Sequence, residues 1–231
     1  MSFYRRNLPH WQPEGAALFI TWRLRGSLPR VNPSETGRLV AQTFASVQNV
    51  RDLVAGPSSE SLAKSNFSEF DSALDKVTTG PLWLKNPRVA QSVVETIQKG
   101  ETQLGCFLLS ALVIMPNHVH ILIHPHVSVA HITKGIKGAS ARAANKILRR
   151  AGKPFWQDES FDHWIRTQGE YEGIQAYIEQ NPVQAGLVKC ADEWPWSSAN
   201  IAFKKYKEAL KEANKREEER RTGRNACATQ I

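Results

Sequence analysis

Residues 113–125, VIMPNHVHILIHP, limit the possible folds of this chain more than any other stretch. The run from Val119 to Ile123 is apolar on both parities apart from one position, the pattern of a buried strand. Into it are set His118 and His120. Strand residues at i and i+2 share a face with Cα atoms about 6–7 Å apart, so both imidazoles can reach one cation. The bland alternative is a pair satisfied by neighbouring carbonyls, but two adjacent buried imidazoles need two sets of partners and repel when charged. His124 and His126 have the same parity, yet His124 stands about 20 Å along a straight strand from His118, which makes both of them strand-end residues.

The rest of the chain supplies partners for this strand. Residues 16–25, AALFITWRLR, lie between Gly15 and Gly26 and read as a first strand. From Pro33 to about Val54 the apolar spacing becomes helical, and the stretch from about 47 to 70 loses periodicity and reads as a loop insertion. In NPRVAQSVVETIQKG, Asn86 is an N-cap, Pro87 occupies the first helical position and Gly100 is expected to stop the helix. Residues 105–114 and 117–124 form two strands parted at Met115-Pro116-Asn117, or one long strand bulged there. A basic helix follows over 128–152, then the aromatic segment PFWQDESFDHWIRT, then a helix from about Glu170 to Asn181 ended by Pro182. Strands and helices in this order predict an α+β domain, one antiparallel sheet with helices packed on it, over residues 1–203. The tail 204–231 is so densely charged that a solvated, fraying helix is expected.

At 231 residues the chain can bury one core, and 30 Lys and Arg against 22 Asp and Glu leave a formal charge of +8. Such a balance favours polyanionic partners, nucleic acid above all. Cys106, Cys190 and Cys227 are too scattered for a disulfide framework or a thiolate zinc site. There is no apolar signal segment and no apolar window of about 18 residues, so a cytoplasmic protein without membrane attachment is expected.

A third ligand for the histidine pair has to come from elsewhere. An H-x-H-x-D-H hydrolase motif fails because Leu122 and Ile123 stand at the Asp and His positions, and amidohydrolase barrels place their H-x-H near the first strand of a longer chain. In YEGIQAYIEQNPVQAGLV, Tyr177 and Asn181 are four apart and share a helical face. Each alone reads as an ordinary amphipathic core residue or a helix-end residue.

Taken together, HVH on a strand and Y-x-x-x-N-P-V-x-A-G-L-V on a later helix resemble the single-tyrosine HUH transposases of the IS200-like superfamily, most closely the REP-associated tyrosine transposases. The resemblance also covers YRR at Tyr4–Arg6, FITWRL, GPLWLKNPRVA, FWQDESFDHWIR and the closing WPWSSA. It implies a ferredoxin-like sheet and an endonuclease that cleaves and rejoins single-stranded DNA at REP palindrome hairpins. Tyr177 would be the nucleophile, forming a 5′-phosphotyrosine intermediate, with His118, His120 and Asn181 as ligands of a magnesium or manganese ion. Relatives carry a glutamine at the amide position, which keeps Gln180 open as an alternative ligand. Arg5 and Arg6 match the family's base-reading N-terminal segment, and Arg166 falls near the expected site. Lys134, Arg142, Lys146, Arg149 and Arg150 fall within about half the circumference of the basic helix and read equally as a DNA-contacting or a solvated face. Trp156, Trp164, Trp194 and Trp196 are expected mainly in the core, with base stacking as the alternative. A hairpin-binding protein with little transposition activity is the second functional class. A monomer or homodimer is expected, associated with the bacterial nucleoid.

Overall fold

The computed structural model describes residues 2–5, 9–12, 15–27 and 80–228. The helix and insertion expected between 33 and 70 lie outside the described residues. At the N-terminus, β1 (Ser2–Arg5) and β2 (Pro9–Gln12) pair as an antiparallel hairpin, an element not anticipated from the sequence.

Among the described residues the main sheet holds four strands: β3 (Leu18–Arg23), β4 (Phe107–Ile114), β5 (His118–Pro125) and β6 (Phe161–Trp164). Their order is β4-β5-β3-β6, with every neighbouring pair antiparallel. Helix α1 (Pro87–Thr102) lies between β3 and β4 in the chain, and α2 (Val129–Ile147) lies between β5 and β6. This β-α-β-β-α-β order, with the first and third strands at the centre, is the ferredoxin-like arrangement. Two further helices follow, α3 (Gln168–Gln184) and α4 (Ile201–Ala228).

Alternate residues of each strand feed two separate cores. Leu18, Ile20 and Trp22 point with Val119, Ile121 and Ile123 into a core covered by α1 and α2, where Val93, Ile97, Ile132 and Ile136 are buried. Phe19 and Leu122 point the other way, with Val113, Ile165 and Ile178, under α3. The central strands are thus covered on both faces, which explains why β5 reads as continuously apolar. The histidine parity of β5 belongs to the α3 face.

Several boundaries differ from the sequence reading for local reasons. Asn86 Oδ1 accepts the Arg88 N–H at 3.0 Å, so α1 begins as expected. It does not stop at Gly100, which sits buried in the last turn, where a Cβ would stand 2.8 Å from Phe107 Cε1. The chain turns instead at Gly105, with φ 58°. Residues 115–117 form the tight link between β4 and β5, closed by the Met115 N–H donating to the His118 carbonyl at 2.9 Å. The bulge lies within β4, between Leu109 and Ala111.

Pro182 does not end α3. The helix runs on to Gln184 and closes at Gly186 (φ 68°), whose N–H donates to Val183 O while that of Leu187 donates to Pro182 O. The proline removes one ladder bond, and its ring is buried, which offsets part of that loss. Residues 196–198 lie along the open edge of β4, with Ile114 N–H donating to Trp196 O and Ser198 N–H to Leu112 O, both at 2.9 Å. This pairing shields the edge from intermolecular strand addition.

The charged tail is helical, as expected, but its first turns are anchored. Phe203 enters the core under α1, and Tyr206 and Lys207 donate to the buried Glu101 carboxylate, each at 2.7 Å. Beyond that anchor the described side chains of α4 are largely exposed. No helix among the described residues is long and apolar enough to cross a membrane.

Candidate active site

His118 and His120 are both fully buried on the α3 face of β5. Their Nε2 atoms face each other at 2.9 Å, and the rings meet edge-on with centroids 4.6 Å apart. Each Nδ1 is held from behind. His118 Nδ1 lies 2.7 Å from Asn117 Oδ1, and since a carbonyl oxygen only accepts, this nitrogen carries a proton, which in the neutral ring leaves the Nε2 lone pair facing His120. His120 Nδ1 lies 2.7 Å from Thr21 Oγ1, a hydroxyl that can donate or accept. Phe19 stacks on the His120 ring at 5.4 Å and 23°.

Helix α3 brings Tyr177 over this pair. Its ring lies 6.0 Å from that of His120, at 65°, and 6.4 Å edge-on from Phe19. Asn181, one turn on, is buried and donates through Nδ2 to the Tyr177 hydroxyl at 3.3 Å. Gln180 is exposed and on another face of the helix, so the amide that shares a face with Tyr177 is that of Asn181. The imidazole pair, the phenol and the carboxamide, distant in sequence, therefore converge.

The start of α3 is fixed to β6. Thr167 caps the helix by accepting the Glu170 N–H at 3.1 Å, and Glu170 reaches back to accept from the Arg166 N–H at 2.8 Å, a variant of the capping box. The other oxygen of Glu170 lies 2.8 Å from His163 Nε2. Burial alone pushes the Glu170 carboxyl up, but the hydrogen bonds from His163 and the Arg166 amide, with the charges of both residues, bring it below the ordinary carboxylate range.

The pair fits a divalent cation. Two ligands about 2.1 Å from one octahedral ion and at right angles to each other are about 3.0 Å apart, close to the 2.9 Å between the two Nε2 atoms. The described residues contain no group of three His, Cys, Asp or Glu side chains able to hold a metal. The carboxamide that shares a helical face with Tyr177, one turn from it, is that of Asn181.

The expected basic surface is dispersed. Lys134, Arg142 and Lys146 are exposed on α2, behind the sheet from the histidines. Arg149 and Arg150 do not continue that stripe, because α2 ends at Ile147 and Arg149 adopts φ 53°. The Arg150 guanidinium lies 3.7 Å over the Trp83 ring. Arg166 is exposed at the start of α3, 5.4 Å over Trp164. Arg5 ends β1, and Arg6 lies outside the described residues. Of the tryptophans, Trp156 is buried and donates to Ser140 Oγ at 3.0 Å, while Trp164, Trp194 and Trp196 pack half-buried against the two cores.

Phe19, Thr21 and Asn117 escaped the sequence reading although each touches the histidine pair, and Arg23 escaped it although it stands opposite His118 in the ladder. The signal was present as period-2 alternation: Phe19, Thr21 and Arg23 share one parity of β3, and they face the histidines once β3 is paired with β5.

The fold and site together define a ferredoxin-like α+β domain with an H-x-H pair on its central sheet facing a tyrosine helix. Comparison with known families adds that residues 82–181, which include the histidines, Tyr177 and Asn181, match the family described as Transposase IS200 like. Among characterised proteins, the REP-associated tyrosine transposase of Escherichia coli (strain K12) is 29% identical over 96 residues, 40% of this chain. The match spans about half, 54%, of that relative. A solved structure of the REP-associated tyrosine transposase bound to a REP hairpin aligns over 86% of this chain and 82% of its own, at 18% identity and a TM-score of 0.48.

Proposed function

We propose that this protein is a divalent-metal-dependent transposase that cleaves and rejoins single-stranded DNA through Tyr177. The observation that carries the reading is the convergence of Tyr177 and Asn181 on the paired imidazoles. The family match over the same residues supports it.

The chemistry follows from the residue types. A phenol with an ordinary pKa near 10 is a weak nucleophile at neutral pH, and a phosphodiester repels anions. His118, His120 and Asn181 would hold a magnesium or manganese ion, which supplies neutralisation of phosphate charge when bound. Asn117 and Thr21 fix the two imidazoles in orientation, and Asn181 positions the Tyr177 hydroxyl through its hydrogen bond. The Tyr177 hydroxyl gives up its proton to solvent as its oxygen attacks phosphorus, the O–P bond of a 5′-phosphotyrosine forms as the bond to the 3′-oxygen breaks, and that oxygen takes one proton from solvent and leaves as a hydroxyl. The reverse attack by a 3′-hydroxyl restores the phosphodiester and frees Tyr177, so strand transfer needs no external energy source.

The similarity to a REP-associated tyrosine transposase supports REP elements as the substrate class, and we take their palindromes folded as hairpins to be the form bound. In this reading Arg5 and Arg6 read bases next to the hairpin, Arg166 contacts the DNA near the site, and Lys134, Arg142, Lys146 and Arg149 contact the DNA backbone or add long-range attraction. Residues 1–203 would form the working unit, with 204–231 as an appended charged tail, in a monomer or homodimer of the cytoplasm. The test is incubation of a labelled hairpin oligonucleotide with purified protein and manganese, followed by denaturing electrophoresis. A covalent protein–DNA band is expected from wild type and none from Tyr177→Phe. A band that persists in Tyr177→Phe would remove the nucleophile assignment. Tight hairpin binding without any band from wild type would favour a binding protein instead.

A further inference from the structure

β3 ends in Arg23, whose Cα partner across the ladder is His118. Directly opposed residues of an antiparallel pair project to the same face with Cβ atoms about 4.5–5.5 Å apart. The hydrogen bond between Thr21 and His120, the next pair on that face, shows that this is the face of the histidines. Arg23 therefore stands next to the candidate cation site, on a strand buried at every position before it.

Among the described residues the guanidinium has one side-chain acceptor. Burial lowers its pKa, a sign that water is partly withdrawn from the charge. Its side-chain hydrogen bond goes to Ser27 Oγ at 3.4 Å, long for such a bond. Among the described residues it forms no ion pair with a carboxylate. A guanidinium offers five donors in a planar fork, and withdrawing it from water without an acceptor is costly. Arg25, two residues on, lies by contrast 3.9 Å from the Asp158 carboxylate.

We propose that Arg23 is a phosphate-positioning residue, which takes a non-bridging oxygen of the DNA backbone and holds the strand against the His118–His120 pair. The proposal rests on the nuclease reading of the site and adds a residue to it. Arginine suits the role because its fork can grip two phosphate oxygens at once and stays charged despite partial burial.

The test separates binding from cleavage by using the Tyr177→Phe protein. Affinity for a short single-stranded oligonucleotide is measured by fluorescence anisotropy across a series of salt concentrations. Arg23→Gln retains a donor toward Ser27 but loses the charge; it is expected to weaken binding about tenfold or more and to reduce the log–log salt slope by about 0.7. Arg23→Lys is expected to restore the slope while recovering only part of the affinity, because a point charge replaces the fork. Wild-type affinity and slope in a folded Arg23→Gln protein would overturn the proposal. Should Arg23→Gln not fold, Arg23→Lys carries the test alone: several-fold weaker binding at unchanged slope supports the role, and wild-type affinity overturns it. Absence of a covalent adduct from wild type would sink the nuclease reading, while the salt slope would still decide whether Arg23 binds phosphate.

Discussion

Replacing Thr21 by valine should damage the candidate cation site without touching a ligand. The two side chains are nearly the same size, so the change deletes little more than the hydroxyl that lies 2.7 Å from His120 Nδ1. With His118 Nε2 presenting its lone pair, the 2.9 Å contact between the two Nε2 atoms without metal needs the proton of His120 on Nε2, and the Thr21 hydroxyl then donates to Nδ1. A cation held by both Nε2 atoms needs the other tautomer of His120, with Nδ1–H donating to Thr21 Oγ1. A hydroxyl serves both states and a methyl serves neither. The buried Nδ1 left without its partner should cost about 1–3 kcal/mol of stability. At about 2–4 °C per kcal/mol for a chain of this size, the melting temperature should fall by roughly 2–12 °C. Loss of a group that orients a ligand typically weakens metal binding by about 10–100-fold. Isothermal titration with manganese and thermal unfolding of the same preparations would give both numbers. Wild-type manganese affinity in a destabilised Thr21→Val protein would refute the idea that this hydroxyl orients a ligand.

Three further outcomes follow from other contacts. Asn181→Ala should weaken manganese binding at least about tenfold, while Gln180→Ala, an exposed change, should leave it unaltered; the same titration reads both. Glu170 has a folded-state pKa below its ordinary value of 4.5, so its carboxylate contributes stability that is present above that value and is lost as the pH falls through the lowered one. Glu170→Gln should therefore unfold more easily near neutrality and show a flatter acid limb below about pH 4.5 in urea titrations at stepped pH. Gly100→Ala ordinarily favours a helix by about 1 kcal/mol, but the new Cβ meets the buried Phe107 ring, and overpacking of about 1–3 kcal/mol should win. A lower melting temperature is expected, and a rise would show that the ring can move aside.

What could be read in the sequence and what could not divide along physical lines. Local signals held where one interaction decides the outcome. The Asn86-Pro87 start of α1 is a cap and a preset φ, and the histidine parity of β5 follows from the pleat. Positions where tertiary contacts compete with local preference misled. Pro182 was expected to end a helix that continues for two residues past it to Gln184, because the lost bond falls in its last turns. Gly100 was expected to stop a helix whose glycine answers instead to the ring of Phe107. The basic stripe was drawn on a straight helix, but that helix ends at Ile147 and lies behind the sheet from the histidines. Phe19, Thr21 and Arg23 were invisible as site residues because their role depends on the β3–β5 register, which no spacing within β3 reveals. The choice between Asn181 and Gln180 depended on the rotation of α3, and packing of Ile178 and Asn181 toward the sheet sets that rotation.

Crystals soaked in manganese and measured at its absorption edge would test the central claim most directly. The account predicts one strong anomalous peak bonded to the Nε2 atoms of His118 and His120, with the Asn181 carboxamide as the third protein ligand and the Tyr177 hydroxyl facing the open positions. Manganese bound elsewhere, or no peak between the two imidazoles at saturating metal, would contradict it and leave the buried histidines as a structural pair.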